Sequence, residues 1–248
     1  GTIDSRVKAN PDKGFSIVSY TGTGANATVG HGLGVAPSMM IVKGRDSAGS
    51  WAVYHANANA SPASGRLYLQ LTNGFTAQAT AWNSTVPSST VFSVGSLTDT
   101  NQNTNAMIAY CFAEVAGYSK FGSYTGNGLA DGPEVTTGFK PAFVMYKRAD
   151  SAGSWYILDS VRDPNNPVEP VLYANLTNAE NNFGVADAPN FLSDGFKVRN
   201  SASDSNAAGA TYIYMAFADT ADARFNFDAS GNKNNWLPNN INSNAESE

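Results

Sequence analysis

The chain repeats itself. Ser19-Tyr20-Thr21-Gly22 recurs as Ser123-Tyr124-Thr125-Gly126, a step of 104 residues. The same step carries Pro37 onto Pro141, Lys43 onto Lys147, and Asp46-Ser47-Ala48-Gly49-Ser50-Trp51 onto Asp150-Ser151-Ala152-Gly153-Ser154-Trp155. One inserted residue then lengthens the step to 105, at which Leu71-Thr72-Asn73 matches Leu176-Thr177-Asn178 and 107–114 matches 212–219. An identical six-residue block with aligned segments on both sides is a duplication, so the fold must be one that this length of sequence forms twice. The chain divides into a polar linker at 1–13, a first unit at 14–117, a second at 118–225, and an Asn-rich tail at 226–248.

Within each unit the periodicity is that of strands. Residues 37–45 form a mostly apolar run opened by proline and closed by Asp46-Ser47-Ala48-Gly49, and Trp51 to His55 returns. This reads as a β-hairpin with a four- or five-residue loop, and 141–149 with 155–159 repeats it. Further strands are expected at 66–71, 91–94 and 106–112, matched at 171–176, 196–199 and 211–217. The run 106–112 is apolar throughout, which places it centrally with both faces covered. No long segment carries apolar residues at helical spacing with caps. About seven short strands per unit predict an all-β chain of two homologous antiparallel β-sandwich units in tandem, jelly-roll-like in layout.

Composition narrows the function classes. Charged residues are 14% of the 248, with 20 acidic and 15 basic side chains for a net charge of −5. Nucleic-acid binding needs clustered Lys and Arg to neutralise phosphates, so no nucleic-acid partner is expected. No apolar run approaches the ~20 residues of a membrane-spanning helix, so no membrane insertion is expected. The single cysteine, Cys111, excludes an intrachain disulfide and any multi-cysteine zinc site, and with two histidines, His31 and His55, most His-dependent chemistry is disfavoured.

Several motifs resemble a repeat found in virion proteins of tailed bacteriophages, common in marine and cyanobacterial phages and described as tail-fibre or other structural proteins. They are the block from Phe121 to Gly126, the run Gly138 to Met145, Asp-Ser-Ala-Gly-Ser-Trp, and Leu158 to Pro164. The resemblance covers 14–225. In such proteins a segment similar to Asp228 to Trp236 often precedes a concanavalin-like lectin domain, which 237–248 is too short to supply. The resemblance implies a virion exterior location, other virion proteins as partners, and a homo-oligomer with a trimer favoured. It brings no catalytic residues.

Carboxylates are the first candidates for chemistry. A glycosidase needs two of them about 5–9 Å apart; the pairs on offer are Asp131 with Glu134, Asp159 with Asp163, and Asp187 with Asp194. Their turn contexts favour carboxylates that bond their own backbone. Asp46 and Asp150 read as Asx-type turn residues, and the cluster from Asp228 to Asn234 carries one formal charge, too few for calcium. No catalytic residue, metal site or cofactor is expected. Cys111 is read as packing. Trp51 and Trp155, at equivalent positions, are read as hairpin packing, and Trp82, with no clear counterpart, as the exposed aromatic. A low-charge exterior protein could hold host surface glycan, and the residues named for that contact are Trp82, Trp236, Tyr54 and His55. The expectation is a non-enzymatic virion structural protein acting in particle assembly or host attachment; the alternatives are a glycan-binding module and a polysaccharide depolymerase.

Overall fold

The computed structural model describes residues 1–219. The fold is all-β. The first unit contains β1 (Ser5–Asn10), β2 (Phe15–Thr21), β3 (Ala27–Gly30), β4 (Met39–Gly44), β5 (Ala52–His55), β6 (Gly65–Tyr68), β7 (Thr76–Ala77), β8 (Val91–Val94), the single turn α1 (Thr98–Asn101) and β9 (Ala106–Phe112). The second contains β10 (Ser119–Thr125), β11 (Glu134–Thr136), β12 (Pro141–Arg148), β13 (Trp155–Asp159), β14 (Pro170–Tyr173), β15 (Asn181–Asn182), β16 (Asn190–Leu192), β17 (Gly195–Lys197), α2 (Ser203–Asn206) and β18 (Thr211–Ala218).

Each unit is a sandwich of one wide and one narrow sheet. The first wide sheet runs β1-β2-β9-β4-β5-β6-β7 and faces the pair β3-β8. The second runs β10-β18-β12-β13-β14-β15 and faces β11-β17-β16. All strand pairings within these sheets are antiparallel. The period-two alternation of β9 explains its central place. Met107, Ala109 and Cys111 fill the core under the narrow sheet, while Tyr110 and Phe112 point to the opposite face. Within the second sandwich, Tyr124 stacks on Tyr212 with ring centroids 4.9 Å apart, and Tyr146 on Tyr156 at 5.0 Å.

The two wide sheets pack on each other through a third core. Met39, Ile41, Val53 and Leu67 of the first meet Phe121, Met145, Trp155 and Ile213 of the second. The result is four layers, narrow-wide-wide-narrow, with the junction of the two units at the centre.

Residues 1–13 correct the sequence reading of a linker. They form β1, whose six residues pair with β2 from Ser5–Tyr20 to Asn10–Phe15, and Ile3 is buried through a bridge to Val29. The polar look comes from an edge strand with outward charged side chains, Arg6 and Lys8. Lys13 then closes a tight turn, and Gly14 adopts φ +62° where a Cβ would meet the Ala113 carbonyl oxygen at 2.3 Å.

Candidate functional site

The carboxylate pairs come first, because they carry the enzymatic alternative. Asp131 and Glu134 both bind Lys197, at 2.9 and 3.1 Å. The Lys197 ammonium holds the Asp131 carboxyl below its ordinary range, whereas a general acid needs a raised one. Asp159 receives the Arg162 Nε at 2.6 Å, and the same guanidinium reaches Glu180 at 2.7 Å. Partial burial works against the Asp159 charge, but the Arg162 backbone N–H and side chain outweigh it and leave the carboxyl low. Asp163 accepts from the backbone N–H of Asn165 at 2.9 Å and of Glu169 at 3.2 Å, an Asx turn. Asp187 and Asp194 are exposed, and their carbonyls accept from Asn200 and Thr137. Among the described residues no group of three or more His, Cys, Asp or Glu could hold a metal ion.

The residues named for glycan contact are placed inside. Trp82 is fully buried, with its ring edge against Tyr54 at 5.8 Å. Tyr54 is 3% exposed and His55 1%. A buried ring face cannot stack on an external sugar, so these three are core residues rather than contacts. Trp82 looked exposed because it stands in a polar turn segment; the turn folds it inward beneath β5. Trp236 lies outside the described residues, as does the Asp228 cluster. The partly exposed tryptophan among those described is Trp51. Asp46 and Asp150 also differ from the Asx reading. Asp46 reaches across to the Ala106 N–H at 2.9 Å, and Asp150 pairs with the Arg148 Nε at 2.7 Å.

The groups with unusual environments gather at the junction. His55 at the end of β5 sets its Nε2 3.1 Å from the Tyr214 carbonyl oxygen of the other sheet, and its Nδ1 accepts from the Asn57 N–H at 3.2 Å. The ring is therefore neutral with the proton on Nε2, and burial pushes its pKa down to about 4. Lys147 is fully buried on β12. Its Nζ donates to the carbonyl oxygens of Gly153 at 2.6 Å and Thr72 at 2.8 Å and lies 5.8 Å from the Trp155 ring centre. Burial lowers its pKa to about 8, with Asp204 opposing. The Trp155 indole N–H donates to the Tyr68 carbonyl at 2.8 Å.

A second set of groups has no sequence signal beyond the repeat itself. Asn101 and Asn206 are fully buried at the ends of α1 and α2. Asn101 accepts from the Thr23 N–H at 2.8 Å and donates to the carbonyls of Ala25 and Gly95, both at 2.7 Å. Asn206 accepts from the Asn127 N–H at 2.8 Å and donates to Leu129 at 2.8 Å and Asn200 at 2.7 Å. Each amide ties two loops by three bonds, and Tyr20 and Tyr124 bond the adjacent carbonyls of Thr100 and Ser205. The alignment of Thr98-Asp99-Thr100-Asn101 with Ser203-Asp204-Ser205-Asn206 is the signal that could have found them.

A family model described as a domain of unknown function (DUF7483) matches residues 1–221. The chain belongs to the DUF7483 family. The matched stretch begins before β1 and spans both sandwiches, so the tandem pair, edge strand included, is what DUF7483 describes. No curated protein and no solved structure matches this DUF7483 chain. What the buried anchors, the paired carboxylates and the junction can do therefore follows from the chain's own geometry.

Proposed function

We propose that this DUF7483 chain is a non-enzymatic structural protein of a bacteriophage virion, a tail-fibre or other exterior component serving particle assembly or host attachment. One observation carries the non-enzymatic part. Of the described side chains that the sequence marks for chemistry, the carboxylates Asp131, Glu134 and Asp159 are engaged by Lys197 and Arg162, Asp163 by backbone N–H groups and His55 by a backbone carbonyl, while Asp187 and Asp194 are exposed. The virion part rests on the resemblance of the repeat motifs. Two sandwiches locked face to face suit a rigid spacer, which bears load through hydrogen-bonded sheets. The glycan-binding alternative is weakened by the burial of Trp82, Tyr54 and His55.

The test is to purify particles of the phage that encodes the chain, digest them for mass spectrometry, and label intact particles with gold-conjugated antibody to residues 14–219. The chain is expected in the particles with label on their outer surface. Recovery only from the soluble lysate would overturn the reading. Release of reducing ends from host polysaccharide by the purified chain would replace it with a depolymerase.

A further inference from the structure

The junction uses only half of what the duplication supplies. On one side, the segment after β6 in the first unit lies over the β12–β13 hairpin of the second. The Thr72 carbonyl accepts from both the Lys147 Nζ and the Gly153 N–H at 2.8 Å, and the Phe75 N–H donates to the Ala149 carbonyl at 2.6 Å. Lys147, Gly153 and Trp155 are buried by it. The repeat provides both partners a second time. The donor segment returns after β14 as Leu176-Thr177-Asn178, and the acceptor hairpin exists as β4–β5 with Lys43, Gly49 and Trp51.

These second copies do not meet within the chain. Lys43 bonds the Gly49 carbonyl, at 2.8 Å, and is half-buried, and Gly49 is exposed. Among the described residues neither the Gly49 N–H nor the Trp51 indole N–H has an acceptor. Thr177, Asn178 and Glu180 are exposed. The residues most alike between the units are thus those of a contact made once.

The one place where the two contacts differ in character is informative. At the closed contact, Phe75 faces Ala149, an apolar pair. At the open one, the repeat puts Glu180 in place of Phe75 and Arg45 in place of Ala149, both exposed. The two differences put opposite charges at positions that touch in the closed contact. Glu180 already shares one carboxylate oxygen with Arg162, at 2.7 Å; the other oxygen has no partner among the described residues.

We propose that the β4–β5 hairpin is a docking site for the segment 176–180 of a second copy of this chain. Thr177 offers its carbonyl to Lys43 and to the Gly49 N–H, and Glu180 meets Arg45. Because donor and acceptor are different surfaces, copies join head to tail and close into a ring or extend as a filament according to the angle between them. The proposal stands whether or not the chain belongs to a virion. The second contact is looser than the first at one point. Gly74 sits where a Cβ would come within 2.7 Å of the Ser151 carbonyl oxygen, and Ala179 occupies that place in the repeat.

The test is sedimentation velocity over a concentration series on the chain, on Arg45→Glu, on Glu180→Arg, and on a mixture of the two variants, with circular dichroism to verify folding. Concentration-dependent association is expected of the chain and monomers of each variant alone. The mixture regains association with the two variants alternating in equal amounts, since the Arg45→Glu hairpin meets the Glu180→Arg segment and the unchanged hairpin of the second variant meets the unchanged segment of the first. A third variant, Ala179→Gly, is expected to associate at lower concentration than the chain. A chain that stays monomeric throughout, or single variants that associate as the chain does, would overturn the proposal.

Discussion

The two sandwiches are alike inside and unlike where they face each other. Beneath each wide sheet, a buried asparagine, Asn101 or Asn206, ties the same two loops at distances that agree within 0.1 Å for the accepted N–H and both carbonyl bonds. On the opposite faces, equivalent positions diverge. Ile17 is 37% exposed and its counterpart Phe121 is 2% exposed. Lys43 and Trp51 are half-buried, while Lys147 and Trp155 are sealed. A duplicated sequence reproduces its own fold because the contacts that define it are internal to the repeat. It does not reproduce its neighbours, because a contact between units needs one donor segment and one acceptor hairpin, and each half engages once.

The largest expected effect contrasts the two tryptophans. Trp155 is 1% exposed and its indole N–H bonds the Tyr68 carbonyl. Truncation to alanine leaves a cavity in the shared core and is expected to cost ~3–5 kcal/mol in urea unfolding. Trp51→Ala, at a concentration where chains are monomeric, should cost no more than about half of that, since part of the ring already meets water. Equal losses would mean that the open hairpin is as closely covered as the other.

The asparagines supply the opposite kind of test, since here the units should agree. Asn101→Ala and Asn206→Ala each strip buried carbonyls of their donors, and each is expected to cost about 2–4 kcal/mol. Unfolding curves should show the two losses within about 0.5 kcal/mol of one another, as for independent equivalent sites. A large disparity would show that one α-turn anchor is supported from outside its own sandwich.

Much of the fold is legible in the sequence for a physical reason. Apolar runs and hairpin turns are local, so the apolar run 106–112 and the paired runs around Gly49 and Gly153 read correctly as β9, β4–β5 and β12–β13. Residues 1–13 misled because an edge strand needs few apolar residues: β1 takes its order from the ladder with β2. Trp82 misled because polar neighbours in a turn say nothing about which way the ring folds. The burial of His55 and Lys147 was out of reach for a deeper reason. Both are buried by the other unit, and no local pattern reports a partner sheet that lies far along the chain.

The most gradual expected effect lies in the pH dependence, where equivalent positions respond in separate windows. His55 in the first unit stands where the repeat has Asp159 in the second. Burial holds the folded His55 pKa near about 4, with the Tyr214 bond opposing, against 6.5 for the free side chain. Between those values the unfolded chain binds more protons than the folded one. Stability therefore falls as pH drops from about 6.5 to 4 and levels off below, by at most about 1.4 kcal/mol per pH unit for one histidine. His31, its pKa also lowered by burial with the Ser88 carbonyl opposing, adds loss of the same sign. Asp159 acts lower. Its carboxyl is depressed below the ordinary aspartate value, so its contribution is complete above that value and lost as pH falls through the folded one. Urea unfolding at steps between about pH 7 and 3 should thus show a histidine slope first and a carboxylate slope after it. His55→Gln removes the titrating ring while leaving an amide N–H that can reach the Tyr214 carbonyl, so it should flatten the upper slope and leave the lower one unchanged. An upper slope that is undiminished in His55→Gln would assign it to His31 alone, and the junction would then be open enough for His55 to carry its proton in water.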